Sequence, residues 1–122
     1  MRFSLPYFFT LKQKNMYRKI LNRLHQAEWI GLNDENNNPI REGDILCADS
    51  GFCYIVIWNE FINNFAMYFV SCFKDMIIHP HTRETYMADS NPICSQFINF
   101  WHLKVTGNID KRPYMLNESS LL

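Results

Sequence analysis

The chain has 122 residues, of which 48% are hydrophobic and 16% aromatic. It is long enough to bury a core without staples and too apolar to be a disordered chain. Twelve Lys and Arg balance twelve Asp and Glu, so a net charge of zero supplies no global attraction to nucleic acid and no repulsion against self-association.

Residues 1–11 read as an extended aromatic arm. Pro6 and its aromatic neighbours discourage a helix there, and Phe3, Tyr7, Phe8 and Phe9 form a candidate interface. The arm is not expected to be a secretion signal, because its basic residues follow the apolar stretch and no small-residue cleavage site appears. No apolar run reaches membrane-spanning length, so no membrane partner is expected.

Residues 12–28 are predicted as a helix, since Tyr17, Ile20, Leu21 and Leu24 repeat at i, i+3, i+4, i+7. Lys12, Lys14, Arg18, Lys19 and Arg23 surround that face without an intervening acid. Such a basic helix is either a solvated face, a phosphate-contacting surface or a contact for an acidic partner.

Residues 29–32 read as a short strand. The run NDENNNP at 33–39 is a dense turn signal, because Asn and Asp close local turns and tolerate left-handed backbone. Gly43 supplies a positive φ or a close approach, and Asp44 is suited to accept backbone N–H groups rather than to act as a catalytic acid. A strand at 45–48, a turn at Asp49, Ser50 and Gly51, an unbroken apolar run at 52–58 and a returning strand at 65–73 make a three-stranded meander. The central run is expected to be buried on both faces.

A brief strand is expected at 76–78, then a polar surface loop over 79–91. Within it, His79 and His81 share one face if the chain is extended, which makes them weak candidate metal ligands. A site would need Cys72, Asp75, Asp89 or Cys94 as well. Asn91 and Pro92 resemble a helix start. Ile93, Phe97, Phe100 and Trp101 then fall on one helical face, read as core. Residues 103–109 are the last strand, with Gly107 as a bulge or turn residue. Residues 110–122 are a polar tail ending in two leucines.

The four cysteines, Cys47, Cys53, Cys72 and Cys94, contain no C-x-x-C pair. They are expected to be reduced, mostly buried thiols, and neither metal nor cofactor is expected. No G-x-S-x-G elbow and no Cys with an identifiable base is present.

The segment GLNDENNNPIREGDIL resembles the "TGLKDKNGKEIYEGDIV" segment of YopX-like proteins, matching at Gly31, Leu32, Asp34, Asn37, Ile40, Glu42, Gly43, Asp44 and Ile45. YIVIWNE is similar to the family's following V-x-W-D-E strand, and KVTGNI, with Glu118 and the terminal leucines, to its closing "VIGNIYENPELL". The family's opening "REIKFRAWD" strand has no counterpart, and DKRPY replaces "YENPE". The resemblance implies a small, mostly β protein of SH3-like barrel character, encoded by bacteriophages or other mobile elements, oligomeric and cytoplasmic in a bacterial host. It carries over no catalytic residues, because the shared positions Gly31, Gly43, Asp44, Gly107 and Asn108 are turns and strand starts.

The expected fold is a single domain over 1–122: arm 1–11, basic helix 12–28, YopX-like β core 29–109 and tail 110–122. It is mainly β, a small SH3-like, strongly bent barrel or sheet, with an N-terminal amphipathic helix and a short helix before the last strand. With no catalytic constellation, the expected function is a non-enzymatic oligomeric interaction module whose partner is itself or a host or phage protein. The alternatives are a nucleic-acid-binding accessory protein using Lys12, Lys14, Arg18, Lys19 and Arg23, and a metal-dependent hydrolase at His79 and His81.

Overall fold

A computed structural model of the chain describes residues 27–109, together with Lys19 and Leu24, which are both helical. The expectations for the arm with Phe3, Tyr7, Phe8 and Phe9, for Lys12, Lys14, Arg18 and Arg23, and for the tail lie outside the described residues. Ala27 and Glu28 are not helical, so the expected helix stops short of residue 28.

The strands are β1 (Trp29–Asn33), β2 (Pro39–Arg41), β3 (Asp44–Cys47), β4 (Cys53–Asn59), β5 (Asn64–Phe69) and β6 (Lys104–Asn108). Between β5 and β6 lie α1 (Val70–Ile78), a 3-10 turn (Pro80–Thr82), α2 (Arg83–Ala88) and α3 (Ser95–Phe100). The fold is mixed α and β, with β1 and β2 in a two-stranded sheet and the others in a four-stranded sheet ordered β5-β4-β3-β6. All pairings are antiparallel, and among the described residues the sheets do not close into a barrel.

The sheet is buried on both faces because β4 is a continuous apolar run. Ile55 and Ile57 point to one side, where Ile45, Ala66 and Tyr68 meet Val70, Phe73, Met76 and Ile77 of α1, Met87 of α2 and Leu24. Val56 points to the other, where Leu46 meets Ile40 of β2, Ile98 of α3, Ile93 and Leu103. Three layers result, with α1 and α2 on one face and the β1–β2 hairpin with α3 on the other.

The turns follow their chemistry. Asn37 takes φ 65°, while Asp34 accepts the Asn38 backbone N–H at 2.8 Å and the Val105 N–H at 2.9 Å. That second bond ties the β1–β2 turn to β6. Gly43 has φ +87° and a Cβ there would lie 3.1 Å from Leu24 Cδ1, so both reasons for a glycine apply. Its N–H donates to Val56 and its carbonyl accepts from Ile109. Asp44 accepts the Arg41 N–H at 2.7 Å and the Asn108 side-chain amide at 2.8 Å. Glu42 accepts the Trp58 N–H at 2.7 Å. The β6 register slips beside Ile45 and Leu46, placing Gly107 at an irregularity in the ladder, as its residue type suggested.

Four local expectations are corrected. Residues 70–78 are helix rather than strand, because Val70, Phe73, Met76 and Ile77 put one apolar stripe against the sheet. Most of 79–91 is the 3-10 turn and α2 rather than loop, and Met87 anchors it in the core. Pro92 does not start a helix but bridges Ala66 on the β5 edge, so α3 begins at Ser95 and its phase buries Ile98 rather than the aromatic residues. Finally, Cys47 and Cys53 are disulfide-bonded, because the β3–β4 register sets them directly opposite each other. Cys72 and Cys94 are free thiols and only partly buried.

Candidate interaction surface

The register gathers chemically distinctive residues at one end of the four-stranded sheet. Tyr54 on β4 faces Phe69, the last residue of β5, and Cys47 on β3 faces both Cys53 and Lys104, the first residue of β6. The β3–β4 turn, 48–52, closes this end through an Ala48 N–H to Phe52 carbonyl bond of 2.9 Å.

Aromatic rings cluster here, with Tyr54 half-buried and Phe52 and Phe69 open to solvent. Tyr54 and Phe69 are 4.8 Å apart and nearly parallel, and Phe52 meets Phe69 edge-on at 5.9 Å. Phe52 is 56% exposed and Phe69 44%. The chain leading into β6 adds a second pair, Phe100 and Trp101, at 5.4 Å. Phe100 is 76% exposed, the most open large apolar side chain among the described residues. Exposed aromatics of this kind mark contact surfaces when rimmed by polar groups.

The rim is a chain of charges drawn from three segments. Lys104 Nζ lies 2.8 Å from Asp49 Oδ1 and 3.7 Å from Glu35 Oε2. The other Glu35 oxygen meets His102 Nδ1 at 2.5 Å. The hydrogen bond and charge of Glu35 raise the His102 pKa above that of a free imidazole. The hydrogen bond and charge of Lys104 lower the Asp49 carboxyl, and Asp49 in turn raises Lys104. His102 itself takes φ 54°, holding its ring at the mouth of β6. These pairs are exposed, so they orient the end of the sheet rather than stabilise it strongly.

The other anticipated residues sit elsewhere. Gly31, at φ +94°, has open space around its missing Cβ, whereas Gly43, Asp44, Gly107 and Asn108 build the β2–β3 turn and its junction with β6. They are architectural. Lys19 is exposed. His79 and His81 are both exposed, with rings 5.8 Å apart, and His79 lies 4.0 Å from Asp75. Among the described residues no group of three His, Cys, Asp or Glu side chains is placed to hold a metal ion. No described helix is long and apolar enough to cross a membrane.

The sequence reading missed this surface. It placed Phe52 inside the central strand and Phe97, Phe100 and Trp101 in the core. One signal was available: Phe52 directly follows Asp49, Ser50 and Gly51, and a residue in the turn itself is solvated on at least one side. Neither a protein-family model nor a curated protein matches the chain.

Proposed function

We propose that the chain is a non-enzymatic interaction module that associates with itself through the aromatic end of its sheet. The observation that carries this reading is the Phe52–Phe69–Tyr54 cluster, with Phe52 and Phe69 open to solvent, together with the separate exposed pair Phe100 and Trp101. Aromatic side chains bury large areas with little entropy loss, and such residues dominate contact energies. The zero net charge of the chain favours association of like copies. In this reading the protein is a YopX-like product of a phage or mobile element, acting in the bacterial cytoplasm, and its bent antiparallel sheet is an open relative of the SH3-like barrel.

Sedimentation velocity over micromolar concentrations tests it. The full chain should form a salt-insensitive oligomer. Phe52→Ser and Phe100→Ser, both at exposed positions, should each weaken association about 30-fold, as expected for a contact worth about 2 kcal/mol. A chain that stays monomeric throughout refutes the proposal. Adding short DNA and RNA to the same runs tests the alternative. Binding that falls steeply with salt and disappears when Lys12, Arg18, Lys19 and Arg23 become Gln would assign the function to that basic segment instead.

A further inference from the structure

We infer that Cys47 and Cys53 form a thiol–disulfide couple that exchanges with low-molecular-weight thiols while the domain stays folded. The inference is independent of the self-association reading. Three observations carry it.

The bond is redundant to the local fold. It joins residues six apart in sequence, so the chain entropy it removes is that of a short loop. Its ends are already held by the Ala48 N–H to Phe52 and Gly51 N–H to Ala48 hydrogen bonds, both 2.9 Å. Both strands are also held by the β3–β4 ladder, and β3 by the β3–β6 ladder.

The sulfurs are reachable. Cys47 and Cys53 are each only partly buried, at the solvent end of the sheet, and the turn between them exposes Asp49, Ser50, Gly51 and Phe52. Their Cα atoms are 4.1 Å apart, the close spacing of an antiparallel pair that shares no backbone hydrogen bond. Reduced thiols held opposite each other in this way re-form the bond without any search.

The two sulfurs differ. Cys47 lies between Cys53 and Lys104 across the strands, and its Sγ is 3.4 Å from the Thr106 hydroxyl. A thiolate on Cys47 therefore has that hydroxyl in reach, once its proton turns from the Ile45 carbonyl that it otherwise meets at 3.3 Å. Cys53 Sγ instead lies 3.6 Å from the Gly51 carbonyl oxygen, which has no proton to offer a thiolate. An incoming thiolate attacks Cys53 Sγ, the Cys47–Cys53 bond breaks, and Cys47 departs as the thiolate. A second thiolate attacks the external sulfur of the mixed disulfide. This releases the small-molecule disulfide and leaves Cys53 as a thiolate, and both cysteines take protons from solvent. Two electrons pass from two small thiols to the protein, and the oxidised small disulfide reverses the sequence.

The test uses the full chain in reduced and oxidised glutathione mixed over a wide range of ratios. Free thiols are trapped by alkylation and read by mass spectrometry, with near-ultraviolet circular dichroism recorded at each ratio. The expected result is that Cys47 and Cys53 titrate together as one two-electron step, with the native dichroism retained at both ends. At equilibrium in a glutathione redox buffer, Cys47→Ser should hold at least several-fold more adduct at Cys53 than Cys53→Ser holds at Cys47, because the better leaving group keeps the less stable mixed disulfide. Alkylation of both residues at every ratio, or reduction only in denaturant, overturns the couple. Equal adduct yields in the two single variants overturn the assigned order of attack.

Discussion

Gly43→Ala is the most informative single change in the core. Alanine at φ +87° carries the cost of left-handed backbone, about 1–2 kcal/mol. Its Cβ would also press on Leu24 Cδ1 at 3.1 Å, and on Leu24 Cδ2 and Asn108 Nδ2 at 3.4 Å. Overpacking of that kind adds about 1–2 kcal/mol, for a total of about 2–4 kcal/mol. Gly31→Ala is the control, because φ is +94° there and nothing lies within 4 Å of the added carbon. It should lose only the backbone part, about 1–2 kcal/mol. Urea unfolding reads both, and with a slope of about 2 kcal/mol per molar the midpoint should fall by about 1–2 M for Gly43→Ala. Leu24→Ala alone should cost about 2–5 kcal/mol, because Leu24 is fully buried. Combined with Gly43→Ala it should cost at least 1 kcal/mol less than the sum of the two, since the cavity accepts the new methyl. Equal losses at Gly31 and Gly43, together with strict additivity in the double variant, would refute the close-approach argument.

Two further outcomes come from the polar interior and a third from the disulfide. Asn59 is fully buried, donates to Tyr68 Oη and the Met87 carbonyl, and accepts from the Phe61 N–H, so Asn59→Ala should cost about 2–4 kcal/mol in urea unfolding. Asp34 is buried, which alone raises its pKa, but the N–H groups of Val105 and Asn38 outweigh burial and the carboxyl titrates below its ordinary value of 3.8. Its depressed folded-state pKa means that its stabilisation is present above the unfolded value and is lost as pH falls from about 4 through the folded value. Urea midpoints at pH 7 and pH 3 should therefore differ less in Asp34→Asn than in the parent chain. Replacing both Cys47 and Cys53 with Ser should lower stability by about 2 kcal/mol, the loop entropy of a short ring, with the dichroism spectrum unchanged.

Turn chemistry was the most legible layer of the sequence. Asn37, Gly43, Asp44 and Gly51 each occupy the turn their residue type indicated, because positive φ and side-chain acceptance of backbone N–H groups are local properties. The order β3, β4, β5 followed from short apolar runs between those turns. Segment 70–78 was misread because Phe69, Val70 and Phe73 carry high strand propensity, while the deciding signal was the helical spacing of Val70, Phe73 and Ile77. The phase of α3 could not be read locally, since it depends on Pro92 pairing with the β5 edge. The Asp49–Lys104–Glu35–His102 chain comes from three separate segments, brought together by the β3–β6 register and by the bonds from the β1–β2 turn to Leu103 and Val105. The disulfide was missed for a related reason: a five-residue gap between cysteines says nothing until the hairpin register is known.

The strand order has a consequence for how the chain is made. β3 lies between its immediate successor and β6, and the bond from Asn108 to Asp44 spans 64 positions. A ribosome has therefore extruded the whole meander, and α1 through α3, before the partner for the open side of β3 exists. Until then Gly43 and Asp44 lack their bonds to Ile109 and Asn108, and β3 offers a row of bare N–H and C=O groups to any other nascent chain. β6 thus acts as a stopper that arrives last. Products cut short before residue 104 should be the ones that aggregate, even though they contain nearly all of both cores.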